Sequence, residues 1–342
     1  MSVSKSNILF VYIWPHPSHK GFAEAIGADF QHVYFGRELY PPITKRILLS
    51  FACGIRYPNY QIYLCEGGLP LVPVAIKKLS EFNRIKVIEL IADETFMMMK
   101  ETPNEMKDRF KWYHNIAHKI ASKFIDGAIA VSKLAKETAE EFLDVPIRVA
   151  YPYIEDEMYE KLGKINPNIE SYKILSVGYA APKKGMDILV EAFKMVKKEI
   201  KDAELYIIGK NHPKEWNKME GVHVEGYVDD LVPYFEDASL FVQASRADTF
   251  PVTTLEALRA GLPAIVTEKT GTKEVIIKLG MDFVRKVDAE DIAKGILRYF
   301  DLSESKRKKL SQKAKELSVM FNKQEMCKRF RQEFWKLLEE IE

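Results

Sequence analysis

Two acidic residues, Asp248 and Glu256, stand eight positions apart in the stretch ADTFPVTTLEALRAGLPAIVTEKTG, with no other charged residue between them. Carboxylates accept hydrogen bonds from paired hydroxyl groups, so this pair could hold a sugar and a ribose. The alternative is structural, because Thr253 and Glu256 have the spacing of a helix-capping box, with Gly261 as the C-terminal stop and Pro263 beyond it. Spacing alone leaves both interpretations open, since 49 of the 342 residues are acidic.

A second candidate is Lys184, in the segment GYAAPKKG between the predicted strand KILSV and the predicted helix Met186–Lys198. Gly178 and Gly185 permit a tight turn and a close approach of the backbone to a ligand. A lysine at the start of a helix opposes the helix dipole unless an anionic ligand joins it there. The segment therefore predicts an anion site, with an ordinary solvated lysine as the alternative.

Two further loops carry weaker signals. Tyr227 and the pair Asp229–Asp230 follow the predicted strand VHVEG, and an aspartate N-cap is the simplest explanation of that loop, although its backbone could border a planar base. The amides of Thr249 and Phe250 are expected to point outward at the start of a helix, where they would suit a phosphate. Together with the two acids, these groups suit a nucleotide-sugar.

The elements that must position these loops alternate along the chain. Apolar segments in the first 151 residues predict the strands NILFVYI, HVYF, YQIYLC, KVIELI, GAIAV and IRVAY. A second series, from about residue 172, predicts KILSV, ELYII, VHVEG, SLFVQ, PAIVT and DFVRKV. Amphipathic helices between the strands imply parallel sheets with helices on both faces. Ligands bind such sheets at the carboxyl ends of the strands.

The predicted organisation is therefore α/β, with two doubly wound, Rossmann-like domains facing a cleft. We expect one domain over residues 1–160 and a second over residues 161–318. The last segment, residues 319–342, is predicted to be a helix that packs back across the domain junction. Its apolar stripe is expected to contain Phe321, Phe330, Phe334, Leu337 and Leu338.

Composition describes a soluble globular protein, with 47% apolar and 29% charged residues. The net charge of +2 does not indicate a nucleic-acid-binding protein. The three cysteines, Cys53, Cys65 and Cys327, form no CxxC pair, which favours a reducing compartment and argues against structural zinc. The apolar segment Asn7–Trp14 is too short to span a bilayer and has no following cleavage site. A cytoplasmic location is expected.

The second half of the chain resembles the family 4 retaining glycosyltransferases, which have the GT-B fold. The similarity runs from about residue 173 to 290 through VGYAAPKKGMDILVEAF, VEGYVDDLVPYFEDASLFVQAS and DTFPVTTLEALRAGLPAIVTEKTGTKEVI. Each block is weak alone, but together they occur in the family's order. The first half is similar only through DGAIAVSKLAKE and the following VAYPYI.

The resemblance implies that Asp248 contacts the transferred sugar, Glu256 the nucleotide ribose, and Lys184 the donor diphosphate. It places Gly178, Tyr179, Tyr227, Arg246, Thr249 and Phe250 with them in donor binding. It also implies that the domain over residues 161–318 binds the nucleotide-sugar and that the domain over residues 1–160 binds the acceptor. The implied reaction moves the sugar from the nucleotide-diphospho-sugar to a hydroxyl acceptor with retention of configuration. No metal and no cofactor are expected, since the sequence contains no Asp-x-Asp pair. Catalysis would then be electrostatic and positional.

The sequence departs from the family at several of these positions. Asp248 replaces the commoner glutamate, and Tyr179 stands where an arginine often serves the diphosphate. Arg246 could compensate for that missing charge, or it could have only a surface role. Asp93, a third catalytic candidate, follows an alanine where relatives often have His-Asp. The segment WPHPSHKG is the counterpart of the N-terminal glycine-rich loop, and its candidates on the acceptor side are His16, His19 and Gly21.

The acceptor is the component of the predicted reaction about which the sequence says least. The stretch Tyr40–Tyr57 mixes apolar residues with Lys45, Arg46 and Arg56. It could rest on the cytoplasmic face of an anionic membrane and reach a lipid-linked acceptor; an ordinary core helix is the alternative. Two other functions stay open, namely a nucleotide-sugar-binding protein without transferase activity and, less favoured, a GT-B phosphorylase or epimerase.

Overall fold

The computed structural model describes residues 7–12, 16–32, 54, 57–101 and 118–342. The chain divides into two compact units, the first formed by Met1–Pro152 with Lys323–Glu342 and the second by Tyr153–Asn322. Within the described residues, each unit contains one six-stranded sheet in which every pairing is parallel. The predicted α/β class, with two Rossmann-like units, is confirmed.

The sheet of the first unit has the strand order β2-β1-β3-β4-β5-β6. Its strands are β1 Ile8–Tyr12, β2 Asp29–His32, β3 Ile62–Glu66, β4 Lys86–Ile91, β5 Gly127–Ala130 and β6 Ile147–Val149. The helices are α1 Pro17–Ala25, α2 Gly68–Ser80, α3 Thr95–Lys100 and α4 Lys133–Ala139. Of the predicted strand HVYF only His32 is described. Residues 102–117 lie outside the described residues, and residues 118–121 are helical.

The sheet of the second unit has the order β12-β11-β10-β7-β8-β9. Its strands are β7 Lys173–Val177, β8 Glu204–Ile208, β9 Val222–Gly226, β10 Leu240–Gln243, β11 Ala264–Thr267 and β12 Val284–Arg285. The helices are α5 Asp156–Lys164, α6 Met186–Glu199, α7 Val232–Asp237, α8 Val252–Ala260, α9 Lys273–Ile276, α10 Ala289–Phe300 and α11 Glu304–Ser318. The strand order reverses between β7 and β10, and ligands of such sheets bind at the carboxyl ends beside the reversal.

Helix α6 starts at this reversal and shows why the local sequence folds there. Its buried residues follow helical spacing and face the sheet and α10: Met186, Leu189, Val190, Phe193 and Val196. Gly185 precedes the helix with φ of 63°, and a Cβ atom at that position would collide with the carbonyl oxygen of Ala244, just beyond β10. Only glycine therefore allows the loop after β7 to approach the end of β10 so closely.

The last helix, α12 (Lys323–Ile341), belongs to the first unit. The ring of Phe330 stacks on Phe22 of α1 with 4.2 Å between centroids, and Leu337 lies against Gly127 of β5. Phe321 was predicted in the same stripe, and that prediction is wrong. It lies in a short 3₁₀ turn of the second unit, with its ring 6.2 Å from that of Phe250.

Among the described residues, no helix combines the length and the apolar character needed to cross a membrane. The basic stretch Tyr40–Tyr57 lies outside the described residues, apart from Gly54 and Tyr57. Contact of this stretch with a membrane stays a prediction.

Candidate functional site

Two loops meet at the reversal point of the second sheet. One follows β7 and carries Lys184, and the other follows β10 and carries Asp248. The Nζ atom of Lys184 lies 2.6 Å from Oδ2 of Asp248, and the two side chains are only 16% and 5% exposed. The structure thus brings together two residues that the sequence analysis singled out separately.

Asp248 is fixed through its backbone as well as its side chain. Its N–H donates to the carbonyl oxygen of Lys269 at 3.2 Å, and its own carbonyl accepts from the N–H of Gly271 at 2.9 Å. Both partners belong to the loop after β11, so a third strand end supports the site. Thr249 and Phe250, which follow Asp248, are buried. The carboxylate therefore has little freedom to move relative to the sheet.

Arg246 is buried, which excludes the surface role that the sequence left open. Its guanidinium binds both carboxylate oxygens of Asp187, at 2.8 and 2.6 Å, and also donates to the carbonyl of Pro182 at 2.8 Å. Burial alone would raise the pKa of Asp187, but the hydrogen bonds and charge of Arg246 outweigh it and lower that pKa. Asp187 was not among the predicted site residues.

Glu256 lies inside α8, and the alternative interpretation as a capping box is wrong. The helix begins after Pro251 without a side-chain cap, so Thr253 is already helical, whereas the predicted stop at Gly261 is present with φ of 90°. Burial raises the pKa of Glu256 to about 7. Its carboxylate has no hydrogen-bond or ion-pair partner among the described residues. A partly buried carboxylate without a partner suits a ligand better than a structural role.

Two exposed tyrosines flank this edge of the sheet. Tyr179, after β7, is 50% exposed, and the Nζ atoms of Lys183 and Lys184 both lie 6.0 Å from its ring centroid. Tyr227, after β9, is 65% exposed, and Nζ of Lys210 lies 4.5 Å from its ring. Each tyrosine therefore presents an aromatic face beside positive charge.

Gly178 is held by the neighbouring loop after β8. Its carbonyl oxygen lies 2.7 Å from Nε2 of His212, a buried residue that the sequence analysis did not single out. A Cβ atom at Gly209 would collide with the same carbonyl. The loop that leads to Lys184 is therefore packed against the end of β8 as well as that of β10.

In the first unit, His16 and His19 lie at the start of α1. His16 caps the helix, with Nδ1 accepting from the N–H of Ser18 at 3.3 Å, and burial together with the charge of His19 lowers its pKa to about 4. Gly21 lies within α1, so it is not the loop glycine that was predicted. The segment after β1 thus supplies two imidazoles rather than a glycine-rich loop.

A glycine turn does occur in the first unit, after β3, where the sequence analysis missed it. Gly67 has φ of 65°, and a Cβ atom there would collide with the carboxylate of Asp93, which itself accepts from the N–H of Thr95 at 3.0 Å. The preceding Glu66 lies 2.8 Å from Nδ1 of His19. The signal was available in the sequence, since Glu66-Gly67-Gly68 directly follows the predicted strand YQIYLC.

A second buried pair lies beside this turn. Nε2 of His118 is 2.8 Å from Oε1 of Glu89, and both side chains are almost fully buried. Burial would lower the pKa of His118, but the charge and hydrogen bond of Glu89 outweigh it and raise that pKa. The ring of His118 also packs against Gly68. No sequence pattern marked this pair, because its residues lie on β4 and on a separate helical segment.

Metal-ligating side chains do not converge within the described part of the chain, where no group of three or more His, Cys, Asp or Glu could hold an ion.

Comparison with known proteins points to one family. Residues 159–317, nearly all of the second unit, match the family model described as glycosyl transferases group 1. The second unit is similar to the group 1 glycosyltransferases. An uncharacterized glycosyltransferase of Methanocaldococcus jannaschii is 28% identical over 211 residues, which cover 60% of this chain and 58% of that relative. The alignment thus spans less than two thirds of the relative's length.

Solved structures of GT-B glycosyltransferases share the fold of the described residues. Sucrose-phosphate synthase from Thermosynechococcus elongatus superimposes with a TM-score of 0.72 at 15% identity, covering 97% of this chain and 89% of that one. Anabaena HepE, in a complex with UDP-glucose, gives a TM-score of 0.72 at 14% identity, covering 96% and 99%. At such low identity the likeness shows the fold, and the fold is GT-B.

Proposed function

We propose that this protein is a glycosyltransferase that moves a sugar from a nucleotide-diphospho-sugar to a hydroxyl acceptor with retention of configuration. The observation that carries the proposal is the contact between Lys184 and Asp248, made where the order of the second sheet reverses, with the unpartnered Glu256 on the helix that follows. The match of this unit to the group 1 family supports it. HepE, which shares the fold, binds a donor of this class.

Each residue has a defined role in this proposal. The ammonium group of Lys184 has three N–H donors, so it can keep one hydrogen bond to Asp248 while another reaches a phosphate oxygen. As the bond between sugar and phosphate breaks, negative charge grows on the diphosphate, and Lys184 stabilises that charge. Asp248 binds hydroxyl groups of the transferred sugar, and Glu256 binds the ribose diol. Tyr179 and Tyr227 offer aromatic faces to the nucleotide.

The chemistry needs no protein nucleophile in this scheme. The acceptor hydroxyl attacks on the face from which the diphosphate departs, and the departing phosphate takes the hydroxyl proton. The protein then contributes position and charge, which is how a site of lysine and carboxylates can act without a metal. Metal independence is part of the proposal, and full activity in EDTA is the result expected from it.

The acceptor is assigned to the first unit, at the carboxyl ends of β1, β3 and β4. His16, His19 and Asp93 lie there with the turn at Gly67. These groups can hydrogen-bond hydroxyls. A lipid-linked acceptor and contact with the cytoplasmic face of a membrane remain proposals resting on the basic stretch Tyr40–Tyr57. Liposome flotation of the wild type and of Lys45→Glu/Arg46→Glu tests them, with equal flotation counting against them.

The decisive experiment screens nucleoside diphosphates and nucleotide-sugars by thermal shift, then assays sugar transfer with the best donor. We expect one nucleoside diphosphate to stabilise the protein and Glu256→Gln to reduce that shift. Binding without transfer to any acceptor would favour a nucleotide-sugar-binding protein without activity. Strict dependence on inorganic phosphate as acceptor would favour a phosphorylase. The absence of any nucleotide effect would overturn the proposal.

A further inference from the structure

Two ion pairs of opposite polarity connect the same two segments of the second unit. The segment after β7 contributes the base Lys184 and the acid Asp187. The segment after β10 contributes the acid Asp248 and the base Arg246. Lys184 pairs with Asp248, and Asp187 pairs with Arg246. The first pair contains the proposed catalytic groups, whereas the second has no part in the chemistry described above.

The two pairs differ in rigidity. Lys184 reaches Asp248 by a single contact from a flexible stem, whereas Arg246 binds Asp187 through a planar fork with two parallel hydrogen bonds. The guanidinium also binds the carbonyl of Pro182, and the backbone N–H of Arg246 donates to the carbonyl of Lys183 at 2.8 Å. Arg246 therefore contacts residues on both sides of Lys184 in the sequence.

The contacts of Arg246 add to others that hold the Lys184 loop. Gly185 already lies against the carbonyl of Ala244, and Lys184 itself is held by a backbone bond from its N–H to the carbonyl of Ala181 at 2.9 Å. The acid of the second pair, Asp187, is 55% exposed. Such an exposed partner contributes little to global stability, so the main effect of the pair is local.

We propose that Arg246 and Asp187 are positioning residues that hold the Lys184 loop so that its ammonium group meets Asp248. In the proposed reaction, neither side chain contacts the reacting atoms. The guanidinium is engaged with Asp187 and Pro182, so it does not replace the arginine that relatives offer to the diphosphate. The effect on turnover rests on the proposed function, whereas the effect on the position of Lys184 does not.

The first test measures the accessibility of Lys184 directly. Wild type, Asp187→Asn and Arg246→Lys are acetylated with N-acetoxysuccinimide, digested with a protease that does not cleave at lysine, and analysed by fragment mass spectra that separate Lys184 from Lys183. The internal standard is Lys315, whose Nζ donates to the carbonyl of Ile165 at 2.6 Å. We expect Lys184 to react at least fivefold faster in both variants, with Lys315 unchanged. An unchanged rate at Lys184, or an equal rise at both lysines, would overturn the proposal.

The matched control is Asp291→Asn. Asp291 also pairs with an arginine of the second unit, Arg285, which is about as buried as Arg246. That pair lies at β12, at the opposite edge of the sheet order from β9. We expect no change in Lys184 acetylation in this variant. A rise as large as that in Asp187→Asn would show that loss of any such pair loosens the unit, and the specific role of Arg246 would be refuted.

The second test uses turnover with the donor found in the thermal-shift screen. In Asp187→Asn, displacement of Lys184 should lower kcat about tenfold while the KM for the donor stays within twofold. The reason is that the contact between Lys184 and the diphosphate is needed most in the transition state. A raised KM with unchanged kcat would contradict a positioning role. If the wild type transfers no sugar from any donor, the proposed function fails, and the acetylation result still decides whether Arg246 and Asp187 position Lys184.

Discussion

Lys184 and Asp248 are 64 residues apart in the sequence, yet Nζ of one lies 2.6 Å from Oδ2 of the other. The contact joins the carboxyl ends of β7 and β10, the strands between which the sheet order reverses. Each residue neutralises the other in a site that is largely removed from solvent. Removing one partner should therefore lower the free energy of unfolding, because the other charged group stays buried without a counter-charge.

The first prediction concerns stability. Lys184→Met keeps the apolar stem but leaves the carboxylate of Asp248 buried without its cation, which costs on the order of 3–5 kcal/mol. The double variant Lys184→Met/Asp248→Asn removes the charge as well and should recover part of that loss. Urea denaturation of the ligand-free proteins measures both. A double variant less stable than Lys184→Met would contradict the attribution of that loss to an unpaired buried charge.

The second prediction concerns catalysis by Lys184. In Lys184→Ala, kcat should fall about 100-fold, while the affinity for the nucleoside diphosphate falls much less, since charge on the diphosphate grows during the reaction. Single-turnover rates and calorimetric titration give the two quantities separately. Full turnover with only a raised KM would place Lys184 in uniform ground-state binding.

The third prediction concerns the short side chain of Asp248. Its backbone is fixed by Lys269 and Gly271, so the added methylene of Asp248→Glu cannot be accommodated by a shift of the loop. We expect Asp248→Glu and Asp248→Asn each to reduce sugar transfer at least about tenfold, equivalent to about 1.4 kcal/mol, with nucleoside diphosphate binding nearly intact. Wild-type transfer in Asp248→Glu would show that the site accommodates the longer side chain. Wild-type transfer in Asp248→Asn would show that the Asp248 carboxylate has no part in the mechanism.

The sequence predicted the strands and the fold class because buried parallel strands leave long apolar segments separated by turns. It also singled out Lys184, Asp248 and Glu256, since each follows a predicted strand. The partners of these residues were not predictable from local pattern. The sequence left both a compensating role and a surface role open for Arg246, because nothing near it in sequence shows that the exposed Asp187, three residues beyond Lys184, would lie beside it.

The same reason explains the misses in the first unit. Glu89 is one acid inside an apolar strand, and His118 lies in a segment without a distinctive pattern, so only the fold shows that they pair. The prediction for Gly21 was wrong for a different reason. The resemblance predicted a glycine-rich loop in WPHPSHKG, but His16 caps a helix that continues through Gly21. The helix N-cap at His16 determines the local structure there, and the glycine does not.

The fourth prediction concerns Glu256 and the ligand-free protein. Burial raises its pKa from 4.5 to about 7, so the unfolded chain loses this proton at lower pH than the folded protein does. Stability therefore falls as the pH rises from about 4.5 to 7 and stays lowered above that window. Glu256→Gln removes the penalty and should stabilise the protein at pH 8 by up to about 3 kcal/mol, with little change at pH 4.5. A loss of stability at pH 8 would indicate a structural role.

The last prediction concerns the pH dependence of nucleoside diphosphate binding, which the ionisation of Glu256 should affect. If Glu256 holds the ribose diol as a carboxylate, nucleoside diphosphate affinity should increase as the group ionises. With a pKa of about 7, roughly a tenth of the molecules carry the charge at pH 6 and nine tenths at pH 8, so the affinity should rise by up to about ninefold.

The phosphates of the ligand also titrate in this range, and they affect wild type and Glu256→Gln equally. The difference between the two pH profiles, measured by calorimetry, therefore isolates Glu256. The variant should bind weakly at every pH and lack the excess rise. Coincident profiles would mean that the carboxylate destabilises the protein without serving the nucleotide, and the ribose assignment would have to be abandoned.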